Sequence, residues 1–260
     1  MRKWQVALLV ACASAAMPAL AKLQQRPVEW QLDGTRYSGV LVFDDEGDAR
    51  RPGVVMVPNW RGVNASAIDK AGRIAGDDYV VLVADVYGKG VRPKTDAEAG
   101  PVATAMRADR PKLRARVQKA VEVLKQQPGT LVDVTRIGAF GYCFGGSTVL
   151  ELVRAGDALS GVVSLHGGLA TDLPAAGPVK SPVLVLNGGD DTYVSAAEIT
   201  AFQDEMRKAG ADWQFVSFGG AVHCFAESDA QNPPGCVYHA PSARRAYRMM
   251  ADFFEDVFAK

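Results

Sequence analysis

The chain has 260 residues, 48% of them hydrophobic, and its 29 basic and 29 acidic residues give a formal net charge of zero. A chain this apolar and without excess charge can bury a core, which excludes global disorder. Its 26 glycines and 14 prolines are spread along the chain, which excludes a collagen-like repeat. The balanced charge lacks the excess of basic residues that is typical of nucleic-acid-binding proteins, so we expect no nucleic-acid partner.

Residues 1–21 have the features of a secretory signal peptide. Arg2 and Lys3 form a basic start, residues 4–16 are mostly apolar, and residues 19–21 supply the small-x-small pattern Ala-Leu-Ala. The apolar run is shorter than the apolar stretch that a transmembrane helix needs to span a bilayer. We therefore expect signal peptidase to cut after this pattern.

Cleavage at that point leaves residues 22–260 as a single soluble domain, periplasmic or secreted, with no membrane contact once the signal is removed. Two alternatives remain open. One is an uncleaved N-terminal anchor. The other is lipidation of Cys12, because residues 9–12 are similar to a lipoprotein box, although only eleven residues precede that cysteine.

Cleavage also fixes the cysteine count, because Cys12 leaves and Cys143, Cys224 and Cys236 remain. An odd number in an oxidising compartment predicts one disulfide and one free thiol. Cys224 and Cys236 bracket a turn-rich stretch, residues 225–235, and a bridge across it would stabilise the fold by roughly 3 kcal/mol. We predict this disulfide and a free Cys143; the alternative is two unpaired buried thiols.

Predicted strands and helices alternate along the chain. Short apolar runs without polar alternation are typical of parallel strands buried on both faces, and helical apolar spacing lies between them. This order predicts a doubly wound α/β fold with a mostly parallel central sheet and helices on both faces. Residues 94–108 are the one loosely patterned stretch and a candidate small lid. The predicted strands are residues 28–32 and 37–43 (a hairpin), 54–58, 80–85, 137–142, 161–165, 183–187 and 215–218, and the predicted helices are residues 65–75, 110–127, 196–209 and 242–258.

The turn after the fifth predicted strand carries the strongest chemical signal. Residues 141–146 read Gly-Tyr-Cys-Phe-Gly-Gly, the nucleophile-elbow pattern with Cys143 in place of serine. Gly141 and Gly145 permit a sharp strand-to-helix turn that strains the central residue and projects its side chain. Unpaired N–H groups at a helix start favour a thiolate, and the N–H of Phe144 can serve an oxyanion. A buried structural cysteine is the alternative.

An elbow nucleophile needs a general base and an acid that orients it, both later in the chain. His223 follows the last predicted strand, and Asp190 and Asp191 follow the strand before it, so these side chains leave the same sheet edge as the elbow. His239 lies near the last helix and is expected to be peripheral. His166 precedes the acid and is expected to be structural or to line the pocket.

These motifs resemble those of the dienelactone hydrolase family of α/β-hydrolases over nearly all of the chain after residue 21. The matching pieces are residues 141–146, 188–194 and 219–225. The resemblance implies an α/β-hydrolase fold and hydrolysis of a carboxylic ester or lactone. It also implies a Cys-Asp-His triad, a thioester acyl-enzyme, and no metal or other cofactor.

By the same resemblance Cys143 is the nucleophile and His223 is the base. The acid falls on Asp191, because the family's Asp stands three residues before the apolar residue matched by Val194. Asp190 is the fallback.

Residues 57–64 match the family's loop after an early central strand, and the resemblance implies that Trp60 gives a second oxyanion N–H beside that of Phe144. The same loop departs from the family, because dienelactone hydrolase proper carries a thiol-activating Glu where this chain has Asn59. An Asn side chain cannot accept a proton at neutral pH.

Two arginines that bind the substrate carboxylate in the family are matched here by Lys89 and Glu227. Lys89 loses the bidentate fork, and Glu227 reverses the charge, which is expected to repel an anionic substrate. The resemblance therefore supports the family's reaction class for this chain more strongly than it supports the dienelactone substrate. Asn59, Tyr142 and Tyr193 are expected to bind substrate. Trp60, Tyr142 and Tyr193 are the candidate pocket walls, because all three lie beside motif residues, and ordinary packing is the alternative for each.

The predicted partner is a small ester or lactone, and the predicted assembly is a monomer or a small homo-oligomer. Two other functions remain open. One is a non-catalytic or weakly active binding module on the same fold. The other is a thiol redox protein using Cys143 with Cys224, which is disfavoured because the chain has no Cys-x-x-Cys motif.

Overall fold

The computed structural model describes residues 23–45, 49–76, 78–128 and 132–259. The predicted signal peptide, residues 1–21, lies outside the described residues. Within these ranges no helix is both long and apolar enough to cross a membrane.

Strands and helices alternate along the described chain, as the apolar pattern predicts. The strands are β1 (Leu23–Leu32), β2 (Thr35–Asp44), β3 (Arg51–Val57), β4 (Val80–Val83), β5 (Val132–Tyr142), β6 (Gly161–Leu165), β7 (Val183–Gly188), β8 (Trp213–Phe218), β9 (Gln231–Asn232) and β10 (Cys236–Val237). The helices are α1 (Ala65–Ala75), α2 (Asp96–Arg107), α3 (Arg110–Lys125), α4 (Phe144–Ala155), α5 (Ala196–Lys208) and α6 (Ala240–Phe258).

One eight-stranded sheet organises the fold, in the order β1-β2-β4-β3-β5-β6-β7-β8. Strands β1 and β2 form the predicted antiparallel hairpin, turning at Asp33 and Gly34, and β2 is antiparallel to β4. The other neighbouring strands run parallel. The mostly parallel sheet expected from the sequence is therefore confirmed.

Helices cover both faces of this sheet. On one face α1 and α6 bury residues such as Ala71 and Phe254. On the other face α3, α4 and α5 bury Leu113, Leu150 and Phe202. Each fully buried Leu or Phe contributes about 1.5–3 kcal/mol of transfer free energy, so the two layers hold the strand ends in fixed positions.

The structure differs from the sequence expectation at residues 94–108, which contain the helix α2. Thr95 caps this helix by accepting a hydrogen bond from the N–H of Glu98 at 3.3 Å. Pro101 inside the helix and a buried face made mostly of alanines weaken the apolar period, which explains why the helix was missed. Asp96 and Arg107, at its two ends, line a cavity, so this segment forms part of a wall.

Candidate active site

A cavity of about 810 Å³ opens at the carboxyl edge of the parallel sheet. Asn59 and Trp60 follow β3, Cys143 follows β5 and His223 follows β8, and all four residues line this cavity. Because the carboxyl ends of parallel strands meet at one edge, three distant parts of the chain converge there.

Cys143 occupies a strand-to-helix turn in which neighbouring side chains have no room. It precedes the first residue of α4 with φ 51° and ψ −114°, a strained backbone for a residue other than glycine. A Cβ atom on Gly141 would lie 2.3 Å from the carbonyl carbon of Gly145, and one on Gly145 would lie 2.0 Å from the carbonyl oxygen of Val57. The two glycines therefore permit the turn, and the free, half-buried thiol of Cys143 reaches the cavity.

His223 is oriented by Asp191. Its Nδ1 lies 2.8 Å from Oδ2 of Asp191, while Oδ1 of the same carboxylate accepts the N–H of Tyr193 at 2.8 Å. Asp191 is buried, whereas the side chain of Asp190 is exposed and its backbone N–H donates to the carbonyl of Ala221. Of the two candidate acids, the structure brings Asp191 to the imidazole.

The environment of His223 favours its protonated form. Burial lowers the pKa of His223, but hydrogen bonds to Asp191 and Cys143 and the attraction of both groups outweigh burial and raise the pKa to about 10. The raised pKa therefore favours the charged ring at neutral pH.

The chain directly after His223 is held by the Cys224–Cys236 disulfide, which the cysteine count predicted. Both of its cysteines line the cavity. The N–H of Val237 donates to the carbonyl of His223 at 3.1 Å, so the far end of the bridged loop returns to the histidine. The bridge thus restrains one wall of the cavity and the backbone of His223.

Comparison with known proteins identifies the family. The sequence profile of the dienelactone hydrolase family matches residues 39–258. The chain belongs to the dienelactone hydrolase family. It is therefore a hydrolase of ester or lactone bonds.

Similarity to individual proteins extends over most of the chain. A crystal structure of a dienelactone hydrolase-like promiscuous phosphotriesterase from metagenomic libraries has a TM-score of 0.86 and 35% identity, covering 91% of this chain and 99% of that one. A probable 2-oxo-3-(5-oxofuran-2-ylidene)propanoate lactonase of Bradyrhizobium sp is 28% identical, covering 71% of this chain and 78% of that protein. A putative carboxymethylenebutenolidase of Salmonella typhimurium is 24% identical, covering 93% and 94% respectively.

The structure places a carboxylate beside Asn59. By the resemblance, dienelactone hydrolase proper carries a Glu at the position that Asn59 occupies in this chain. Oε2 of Glu227 accepts a hydrogen bond from Nδ2 of Asn59 at 2.6 Å and lies 3.1 Å from Nζ of the buried Lys70. Burial raises the pKa of Glu227, and Lys70 opposes that shift. Lys70 also pairs with Asp229 at 2.7 Å, so one cation is shared by two carboxylates that line the cavity. The expected repulsion of an anionic substrate by Glu227 stays a prediction.

Lys89 also departs from the expectation drawn from the family. Its Nζ pairs with Oε1 of Glu29 at 2.6 Å on the exposed surface, so it is not positioned as a substrate anchor. A different cation, Arg107 of α2, lines the cavity, and its guanidinium lies 5.4 Å from the ring centroid of Phe144. Arg107 is not predictable from the sequence as a cavity residue, because the apolar period of the helix that carries it is weak.

The aromatic residues beside the motifs separate into two groups. Trp60 and Tyr193 line the cavity, and the ring of Tyr193 lies 5.0 Å from that of His223. Tyr142 is 1% exposed, and its hydroxyl lies 2.9 Å from that of Tyr247 in the core beneath α6. Of the two predicted substrate-binding tyrosines, the structure therefore brings only Tyr193 to the main cavity.

The two other histidines differ in position. His239 precedes α6, and its Nδ1 lies 2.8 Å from Oγ of Ser242 in the helix's first turn, which suits the peripheral role expected for it. His166 is fully buried, with its ring centroid 5.2 Å from that of His223. Cys143, His223, Asp191 and His166 thus form one contiguous group.

Proposed function

We propose that this hydrolase cleaves its ester or lactone through a thiolate of Cys143, with His223 as acid and base and Asp191 as its orienting carboxylate. The observation that carries the proposal is the convergence of Cys143 and His223 on one cavity with Asp191 bound to the far side of the imidazole at 2.8 Å. Nucleophile, base and orienting acid in this arrangement form the generalised triad of acyl-transfer enzymes.

In the resting enzyme we infer an ion pair between the thiolate of Cys143 and the imidazolium of His223. The raised pKa of His223 supports this state, because interactions with Cys143 and Asp191 both favour the protonated ring. A thiolate is the nucleophilic form of cysteine, so no proton has to be removed from sulfur when substrate binds.

The reaction then proceeds in two halves. The thiolate attacks the carbonyl carbon, and a tetrahedral oxyanion forms that the N–H groups of Phe144 and Trp60 stabilise, each worth about 3 kcal/mol. Phe144 opens α4, where backbone N–H groups lack helical partners. The carbonyl of Trp60 accepts the hydroxyl of Tyr87 at 3.1 Å, which restrains the loop that carries the second donor. His223 gives its proton to the leaving alcohol, and a thioester remains.

The second half requires His223 as a base. Once the sulfur of Cys143 is acylated, it carries no charge and no longer raises the pKa of the imidazole, so the neutral ring becomes accessible. His223 then takes a proton from water as that water attacks the thioester. The acid is released, and the sulfur returns to its thiolate form.

An assay of mature protein with short p-nitrophenyl esters tests this proposal. Wild-type protein should turn over, and Cys143→Ala should abolish turnover while its far-ultraviolet circular dichroism shows that it remains folded. A Cys143→Ala variant with wild-type activity would overturn the proposal. The panel should include lactones, thioesters and an aryl phosphotriester, because one structural neighbour is named a phosphotriesterase.

The alternative, a binding module with little or no turnover, rests on Asn59 in place of the activating Glu. Labelling with iodoacetamide at about pH 6 separates the two, because a thiolate paired with an imidazolium reacts at that pH and an ordinary thiol reacts slowly. Fast labelling of Cys143 together with ester turnover favours the enzyme. Slow labelling and no turnover across the panel favours the binding module.

We also propose that the protein is exported to the periplasm or secreted after removal of residues 1–21. The basic start, the apolar run and the Ala-Leu-Ala site support the proposal, and the Cys224–Cys236 disulfide is typical of an oxidising compartment. Intact-mass analysis of exported protein should give a chain that begins at Lys22. A retained N-terminus or a lipidated Cys12 would contradict it.

A further inference from the structure

His166 is a buried titratable side chain that the proposed reaction does not use. It directly follows β6 with φ 41°, a conformation rare for a residue other than glycine. Its ring packs against the rings of His223 at 5.2 Å and Phe225 at 5.6 Å. A polar group in so enclosed a place needs specific partners, and those partners indicate its role.

The first partner of His166 is the nucleophile's own peptide. The backbone N–H of Cys143 donates to Nδ1 of His166 at 3.2 Å and to the carbonyl of Leu165 at 3.0 Å. A ring nitrogen that accepts a hydrogen bond cannot carry a proton, so the neutral ring of His166 must hold its proton on Nε2.

The opposite edge of the ring faces the Glu227 carboxylate. Nε2 of His166 lies 4.0 Å from Oε1 of Glu227, whose other oxygen is held by Asn59 and Lys70. Burial, the charge of His223 and, more weakly, that of Lys70 lower the pKa of His166 well below its ordinary value. Nε2 is buried without a hydrogen-bond partner among the described residues, so the bond that Nδ1 accepts is the ring's one direct polar restraint.

The backbone around His166 is packed directly against the elbow. A Cβ on the next residue, Gly167, would lie 2.7 Å from the carbonyl carbon of Gly146 and from the backbone nitrogen of Ser147. Both belong to the first turn of α4, directly after Cys143. A change in the position of His166 is therefore transmitted to the turn that aims the thiol.

We propose that His166 is a positioning residue for Cys143: its neutral, Nε2-protonated ring accepts the cysteine's peptide N–H and thereby holds the strained backbone from which the thiol projects. The proposal rests on the proposed function of Cys143 as nucleophile. His166 does not exchange a proton with substrate; it acts through the orientation of the sulfur. Strained backbone persists only where its surroundings impose it, and this hydrogen bond is one such restraint.

Three substitutions separate the two edges of the ring. His166→Asn places a carbonyl oxygen near the position of Nδ1. His166→Gln places the side-chain amide near the position of Nε2 instead. His166→Leu keeps the bulk of the side chain and has no polar group at either position. We expect kcat to fall roughly 10- to 100-fold in the Leu and Gln variants, because misaimed reacting groups cost about this much. We expect KM to change by less than about 3-fold, and the Asn variant to stay within about 5-fold of wild-type kcat.

Equal loss in all three variants, or wild-type kcat in His166→Leu, would overturn the proposal. A merely structural role for His166 predicts losses that follow the melting temperature, whereas positioning predicts losses that follow the acceptor at Nδ1. Alkylation of Cys143 by iodoacetamide supplies a second readout in the same variants. Its rate should fall with kcat in the Leu and Gln variants and remain near wild type in the Asn variant.

A measurement on the wild-type protein tests the proposal even if every variant fails to fold. Nitrogen-15 NMR of the histidine rings should show Nδ1 of His166 unprotonated and Nε2 protonated from about pH 6 to about pH 8. A proton on Nδ1 would overturn the proposal. The tautomer is independent of turnover, so an active Cys143→Ala variant would disprove the proposed function without altering this result.

Discussion

Nδ1 of His223 lies 2.8 Å from Oδ2 of Asp191, and the carboxylate's other oxygen accepts the backbone N–H of Tyr193 at 2.8 Å. The carboxylate therefore has one oxygen fixed by the loop after β7 and one directed at the imidazole. This arrangement leaves Nε2 as the ring nitrogen for chemistry at the cavity.

Replacing Asp191 tests whether its carboxylate orients His223, and the adjacent Asp190 is the matched control. Asp191→Asn should lower kcat by roughly 10²- to 10⁴-fold, because an amide can donate to Nδ1 and favour the wrong tautomer. Asp190→Asn should leave kcat within about 2-fold of wild type, since surface substitutions away from special features have small effects. Steady-state kinetics of both variants decide the question. A larger loss at Asp190 would exchange the two assignments.

The charge of Cys143 should be visible in the titration of His223. Interactions with both Asp191 and Cys143 contribute to the raised pKa, about 10. Cys143→Ala should therefore lower the pKa of His223, and NMR titration of the imidazole Cε1–H measures the shift. An unchanged pKa near 10 in this variant would contradict a thiolate–imidazolium pair in the resting enzyme.

The same shift predicts a pH dependence of stability. The folded pKa of His223 is raised from an ordinary value of about 6.5 to about 10, so the stabilisation from its protonation is fully present below about pH 6.5 and is lost as the pH rises through about 10. In Cys143→Ala this loss should begin at lower pH. Urea unfolding of both proteins across this pH range measures it; identical profiles would contradict the prediction.

The Cys224–Cys236 bridge closes a loop with a sequence separation of 12. Replacing both cysteines by serine should lower the free energy of unfolding by about 3 kcal/mol, or the melting temperature by about 6–12 °C. We also expect a lower kcat, because the loop returns to the carbonyl of His223. Wild-type protein treated with a reductant is the control and should show the same shift. No shift in either sample would contradict a stabilising bridge.

The buried pair of Lys70 and Glu227 should matter more than a surface pair on the same helix. Lys70→Met leaves Glu227 buried without its cation and should cost about 3–5 kcal/mol in urea unfolding. Adding Glu227→Gln to that variant should recover part of the loss. Arg73→Ala, which breaks an exposed pair with Asp69, should cost less than about 1 kcal/mol. Equal losses for Lys70→Met and Arg73→Ala would contradict the ion-pair assignment.

The sheet and the strand-to-helix turn at Cys143 were predictable because their determinants are local. The glycines around Cys143 and the apolar strand before it lie in one short segment, and backbone sterics dictate the turn. The choice between Asp190 and Asp191 needed a family resemblance, because adjacent residues in a loop leave the sheet at the same edge.

Other parts of the site depend on contacts between distant segments and could not be predicted in this way. Lys70 on an amphipathic helix is expected to face solvent, yet it is buried against Glu227 and also pairs with Asp229. The role of His166 depends on its backbone turning after β6 so that the ring meets the peptide of Cys143. Arg107 lies on a helix whose apolar period is weak.

The most direct test of the proposed chemistry is mass spectrometry of protein quenched in acid during turnover of a p-nitrophenyl ester. Peptide mapping should find the substrate's acyl group on Cys143 as a thioester, which hydroxylamine releases, and no adduct in Cys143→Ala. Turnover at the wild-type rate in Cys143→Ala, or an acyl adduct on any other residue that forms and decays at the rate of turnover, would contradict the mechanism.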